Sequence, residues 1–128
     1  MSPIHGDRSA GDGNFTAAVA DDGIFEIVIR GFWTEAQVDR FFVAILPLHH
    51  DCRLRFQRVR SLIRVEAVQS PAVALHVRDR AMALKQPGDR NAFVIASFLS
   101  KLQITRLASR DDFGLFTDAA VARDWLLA

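Results

Sequence analysis

Tyrosine is absent from this chain of 128 residues, cysteine occurs once, and charge of one sign is nearly balanced by the other. Each shortage excludes something. With Cys52 alone no intrachain disulfide can form, which removes the small disulfide-stapled folds from consideration. No run reaches the roughly 20 consecutive apolar residues that a membrane-spanning helix needs, and no apolar export segment stands near the start. A reducing cytoplasm is the expected location, without stable insertion in a membrane. Lysine and arginine number 16 against 15 aspartates and glutamates, a formal charge of +1. That is too little for a global field drawing nucleic acid or an acidic membrane surface. Ten Phe and two Trp carry the aromatic content almost wholly without hydroxyls, so they belong in a core rather than on a polar recognition surface.

What is present is enough for one core. Half the residues are apolar and 24% are charged, which places the body of the chain among globular domains. Residues 1–14, MSPIHGDRSAGDGN, show no periodicity and read as a flexible arm, leaving residues 15–128 as a single domain. Residues 15–20 and 24–30 (IFEIVIR) are strand candidates joined by Asp21-Asp22-Gly23, the chemistry of an antiparallel hairpin. Thr34 and Gln37 suit a capping box, with Trp33 stapled onto Val38, and Val38, Phe41, Ile45 and Leu48 form a helical stripe. Pro47 is expected to kink or end that helix, leaving HHDCRLRFQR as a basic connection. A strand over 59–65 follows, then a helix opened by Ser70-Pro71 with Ala74, Val77, Ala81 and Leu84 inward. Asn91 to Ala96 reads as a strand covered on both faces. Ser97 starts a third helix carrying Phe98, Leu99, Leu102 and Leu107. The turn SRDD, a short strand over 113–116 and a last helix capped by Thr117, with Val121 and Trp125 four apart, complete the order ββαβαβαβα. Alternation after the hairpin implies mostly parallel pairing: a mixed five-stranded sheet with four helices.

The segments GIFEIVIRGFWT, VQSPAVA, KQPGDRNAFVIAS and FGLFTDAAVARDWL, in that order, resemble the STAS-type superfamily, and more narrowly its SpoIIAA-like group. The resemblance spans about residues 15–127 and rests on hydrophobicity and turns. It implies a non-enzymatic α/β domain that binds a protein partner, a second copy of itself or a regulatory protein. In that superfamily a Ser or Thr at the start of the helix after the third strand is phosphorylated, and Ser70 falls nearest that place. The chain departs from the pattern there, with Val68-Gln69-Ser70-Pro71 in place of an Asp-Ser-Ser-Gly run and Arg64 where many relatives carry Asp.

Read residue by residue, Ser70 is a helix cap that would also suit a phosphate, since both uses put an oxygen at the positive helix end. Arg58, Arg60 and Arg64 share one parity and form a candidate anion or partner patch, against the plainer reading of a solvated face on an edge-like strand. His76 and Arg80 on the second helix, with Lys101 and Arg106 on the third, are a candidate interaction face. His49, His50, Asp51 and Cys52 are ligand types, but consecutive side chains seldom converge on one ion, so no metal and no cofactor is assigned. No P-loop, dinucleotide fingerprint or nucleophile elbow occurs, and no catalytic residues are assigned. Two functions stand: a regulatory interaction module, with an exposed apolar patch near the second and third helices, and a module for a small apolar ligand or lipid. An apolar cavity separates the second from the first.

Overall fold

The computed structural model describes residues 9–107 and 113–128. The chain forms an α/β domain with four helices on a mixed sheet of six strands that lie in sequence order, β1 (Ser9–Asp12), β2 (Phe15–Val19), β3 (Ile24–Ile29), β4 (Arg60–Val65), β5 (Arg90–Ile95) and β6 (Phe113–Phe116). The first three strands pair antiparallel and the last four parallel. The turn SRDD lies outside the described residues.

The sixth strand comes from the stretch expected to be a loose arm. Ser9–Asp12 pairs with β2 from Ser9 opposite Ala18 to Asp12 opposite Phe15. Small polar residues carry no strand periodicity, so this pairing is decided by the free edge of β2. Gly11 makes the approach possible, since a Cβ there would stand 2.8 Å from the carbonyl oxygen of Phe15. The hairpin between β2 and β3 follows its turn chemistry: Gly23 has φ +88°, and Asp22 Oδ1 accepts the amide proton of Ile24.

The first helix, α1 (Glu35–Phe56), continues past Pro47 and takes in most of the basic connection. Pro47 removes one backbone bond and costs on the order of 3 kcal/mol in a helix interior. Burial beyond it offsets that cost, because Leu48 and Cys52 continue the stripe of Val38, Phe41 and Ile45 into the core, and Phe56 packs against the same cluster. The helix ends at Gln57, which turns left-handed and donates its N–H to the Arg53 carbonyl. At its start Thr34 Oγ1 accepts from the Gln37 amide, as expected of the cap. The Gln37 side chain instead reaches Asn14 and Asp12, so it clamps the β1–β2 turn onto the helix rather than closing a capping box.

The other helices are α2 (Pro71–Leu84), α3 (Phe98–Leu107) and α4 (Ala119–Leu127). Ser70 caps α2 through the Val73 amide at 3.3 Å. The cap of α4 is Asp118 rather than Thr117, since a carboxylate oxygen takes both the Ala120 and Val121 amides. Packing against Ile24, Leu62 and Ala92 buries Ala122 and Leu126, while Val121 is exposed.

Alternation in the parallel strands divides the core in two. Odd-numbered positions such as Phe25, Ile27 and Val59 face α1, α2 and α3, whereas Ile24, Leu62 and Ala92 face α4. Asp89, just before β5, binds three elements on the first side. Its carboxylate accepts two bonds from Arg53 of α1, both at 2.8 Å, one from the Val59 amide ahead of β4 and one from the Gln86 amide after α2. Burial alone would raise its pKa, but the Arg53 guanidinium and the two amides outweigh burial and hold it below the ordinary 3.8.

Replacing Asp89 by Ala strands the Arg53 guanidinium and two amides, and urea unfolding is expected to show a loss of about 3–5 kcal/mol; a loss below about 1 kcal/mol would contradict this role. Because the folded carboxyl is lowered relative to the unfolded chain, its contribution is complete above pH 3.8 and is lost as pH falls through the lower folded value. Stability measured against pH therefore drops more steeply on the acid side in the parent than in Asp89→Ala.

Candidate ligand-binding cavity

Between the odd-numbered face of the sheet and the helices above it lies a cavity of about 240 Å³. Its floor is built in rows by the parallel register. Across β3, β4 and β5 one row is Ile27, Ile63 and Phe93, and towards the strand ends Ile29 sits beside Val65. All five residues line the space. The roof is the inward stripe of α1, Phe41, Phe42, Ile45 and His49, with Ala74, Val77 and Met82 from α2 and Ile104 and Leu107 from α3. Met82 is itself mostly exposed, which puts the opening along α2. Trp33 closes one end. Its ring centroid stands 5.1 Å from that of Phe41, and its indole N–H donates to the Arg30 carbonyl.

The polar groups of the wall fall into two sets. At the Trp33 end, Gln69 accepts from the Trp33 amide and donates to the Gly31 carbonyl. Gln103 of α3 bonds both the amide and the carbonyl of Gln69. This double contact ties α3 to the loops flanking α1 and α2 and leaves these amides occupied. The opposite end carries the row Phe25, Ser61, Asn91 and Phe113, with the His49 ring edge-on to Phe25 at 6.4 Å. Asp89, paired with Arg53, also lines the cavity. Burial depresses the His49 pKa below 6.5, and the Arg53 charge adds to this, while Asp89 only partly opposes it. His49 is therefore neutral at pH 7.

The residues singled out in the sequence lie elsewhere. Ser70 is exposed at the start of α2, occupied as a cap. Arg58 precedes β4, and Arg60 and Arg64 lie on it about 13 Å apart; β4 is an inner strand, not the edge-like one of the plainer reading. Arg60 is half-buried near Arg58 and Arg90; burial and those like charges push its pKa down, and its Nε is enclosed without a partner. His76 and Arg80 both bind Asp39, joining α2 to α1, and Arg80 also lies over the Phe42 ring at 5.2 Å. Lys101 and Arg106 are exposed on α3. Their neighbours Phe98, Leu99 and Leu102 are exposed too, and form an apolar patch on this helix. His49, His50 and Cys52 point to the cavity, to solvent and to the core respectively, and no group of three or more metal-ligand residues occurs among the described residues.

Ser61 and Asn91 are the cavity residues that the sequence reading does not reach. The available signal is that Ser61 and Asn91 are polar where the next positions on the same face, Ile63 and Phe93, are apolar.

In a histidine-resolved NMR titration, His49 is expected to show a midpoint below 6.5, and a midpoint at or above that value would mean the ring is not held in this wall.

No helix among the described residues is long and apolar enough to cross a membrane, and no family model, curated protein or solved structure matches the chain.

Proposed function

We propose that this domain is a non-enzymatic binding module that holds a small apolar molecule between its sheet and its first three helices. The observation carrying this reading is the cavity itself: an opening of about 240 Å³ whose floor and roof are aliphatic and aromatic side chains. The space opens along α2, so an apolar molecule can enter and exchange water for contact with these walls, which the hydrophobic effect favours. A dry apolar cavity of about 150 Å³ takes up benzene, so this one suits a molecule of roughly ten non-hydrogen atoms. The two clamps support the same use. Asp89 braces one end and the Gln69–Gln103 contact the other, which keeps the walls apart without filling the middle.

A second reading has its own observation. Phe98, Leu99 and Leu102 expose apolar area on α3, as expected of a STAS-like interaction module that pairs with itself or with a regulatory protein. The cavity takes precedence because sheet and helices offer apolar walls on both sides of a ligand, whereas the α3 patch is a single exposed face.

Trp33 lines the cavity, so it reports on occupancy once the other tryptophan is removed by Trp125→Phe. Titration with butylbenzene is expected to change Trp33 emission saturably, with Kd between about 1 and a few hundred micromolar for a ligand of this size. Ile63→Phe, which fills the floor, should weaken binding at least about tenfold. A linear, non-saturating response would count against the cavity as a binding site.

A further inference from the structure

Ser61 is a polar residue 7% exposed, on an inner strand, facing a cavity whose neighbouring rows are apolar. The parallel register sets it directly beside Asn91, which lines the same cavity. Neither the Ser61 hydroxyl nor the Asn91 side-chain amide makes a hydrogen bond with any described residue. They are not sealed in either, because the fully enclosed side-chain polar atom without a partner among the described residues is Arg60 Nε. Ser61 is buried and Asn91 half-buried, and both turn an unpaired polar group to one space, where a single ligand atom can pair with the two.

The charge of that partner follows from the groups around it. A carboxylate here would need a cation, but Arg53 already gives two bonds to Asp89 and Arg78 pairs with Asp79. Lys85 belongs to the α2 side of the wall and has an interaction of its own. Among the described lining residues an ammonium would find only the Asp89 carboxylate, which already accepts bonds from Arg53 and from two backbone amides. Either ion would be desolvated without compensation. An uncharged oxygen meets no such cost: a carbonyl accepts from the Ser61 hydroxyl and the Asn91 amide, and a hydroxyl can also donate to either.

Resting on the apolar-ligand reading, we propose that the cavity orients its ligand, seating an uncharged ketone, aldehyde or alcohol oxygen against Ser61 and Asn91 and directing the hydrocarbon over Ile63 towards Trp33. Ser61 and Asn91 thereby select among apolar molecules by one polar group, while the surrounding walls supply affinity. The same arrangement implies that Ser61→Ala removes no bond from the ligand-free fold, so its unfolding midpoint is expected to equal or exceed the parent's.

Three probes of similar size test this in the Trp125→Phe protein, read by Trp33 emission: butylbenzene, benzylacetone, and hydrocinnamate, whose carboxylate replaces the methyl ketone of benzylacetone. Benzylacetone is expected to bind at least about tenfold more tightly than hydrocinnamate. Ser61→Ala should weaken benzylacetone about three- to tenfold and leave butylbenzene within about twofold, and Asn91→Ala should act in the same direction. Hydrocinnamate binding tightest, or both variants weakening butylbenzene and benzylacetone equally, would overturn the oriented-oxygen assignment while leaving the apolar site in place. Failure of all three probes, butylbenzene included, would overturn both.

Discussion

The Asp89 carboxylate is the contact on which the arrangement of this domain turns. It takes the Arg53 guanidinium from the last turns of α1, the amide that precedes β4 and the amide that follows α2. Three segments far apart in the chain are thus held at one point beside the start of β5. A buried ion pair is weak evidence of net stability, because desolvation consumes much of the attraction. Its value here is specificity: a carboxylate with four donors accepts only one placement of α1 over the sheet. That placement stands His49 one helical turn from the pair and above the row of Ser61 and Asn91.

At the other end of the same space, Gln69 and Gln103 do with neutral amides what Asp89 does with charge. Between these two polar clamps the side chains are almost wholly apolar, and they do not meet across the middle. The domain is therefore tightly packed on the α4 side, where Ile24, Ala92 and Ala122 are fully buried, and open on the side of α1, α2 and α3. A sheet packed differently on its two faces can keep its fold from one face and use the other for binding.

Much of the architecture was legible in local chemistry. The β2–β3 turn, the caps at Thr34 and Ser70, the inward stripe of α1 and the alternation of later helices with strands all depend on near neighbours in sequence, and they stand where turn residues and periodicity put them. The misplacements share a cause. Pro47 carries a local cost, but Leu48 and Cys52 are held in the core by residues from distant strands. Ser9–Asp12 has no strand signature and becomes a strand because β2 offers an edge. Arg60 and Arg64 looked like the face of an edge strand, yet the neighbours that make β4 an inner strand come from residues 24–29 and 90–95.

The sequence alone determined that this is an α/β domain with a largely hydroxyl-free aromatic core, little net charge and no spaced set of metal-ligand residues. Those properties follow from composition and from interactions a few residues long. Only the tertiary structure decided that the core is incompletely filled, and that Ser61 and Asn91 share one row of the sheet facing the gap. A void is a property of how distant surfaces fail to meet, and a register is set by the pairing of strands thirty residues apart. Neither has a local signature in the chain.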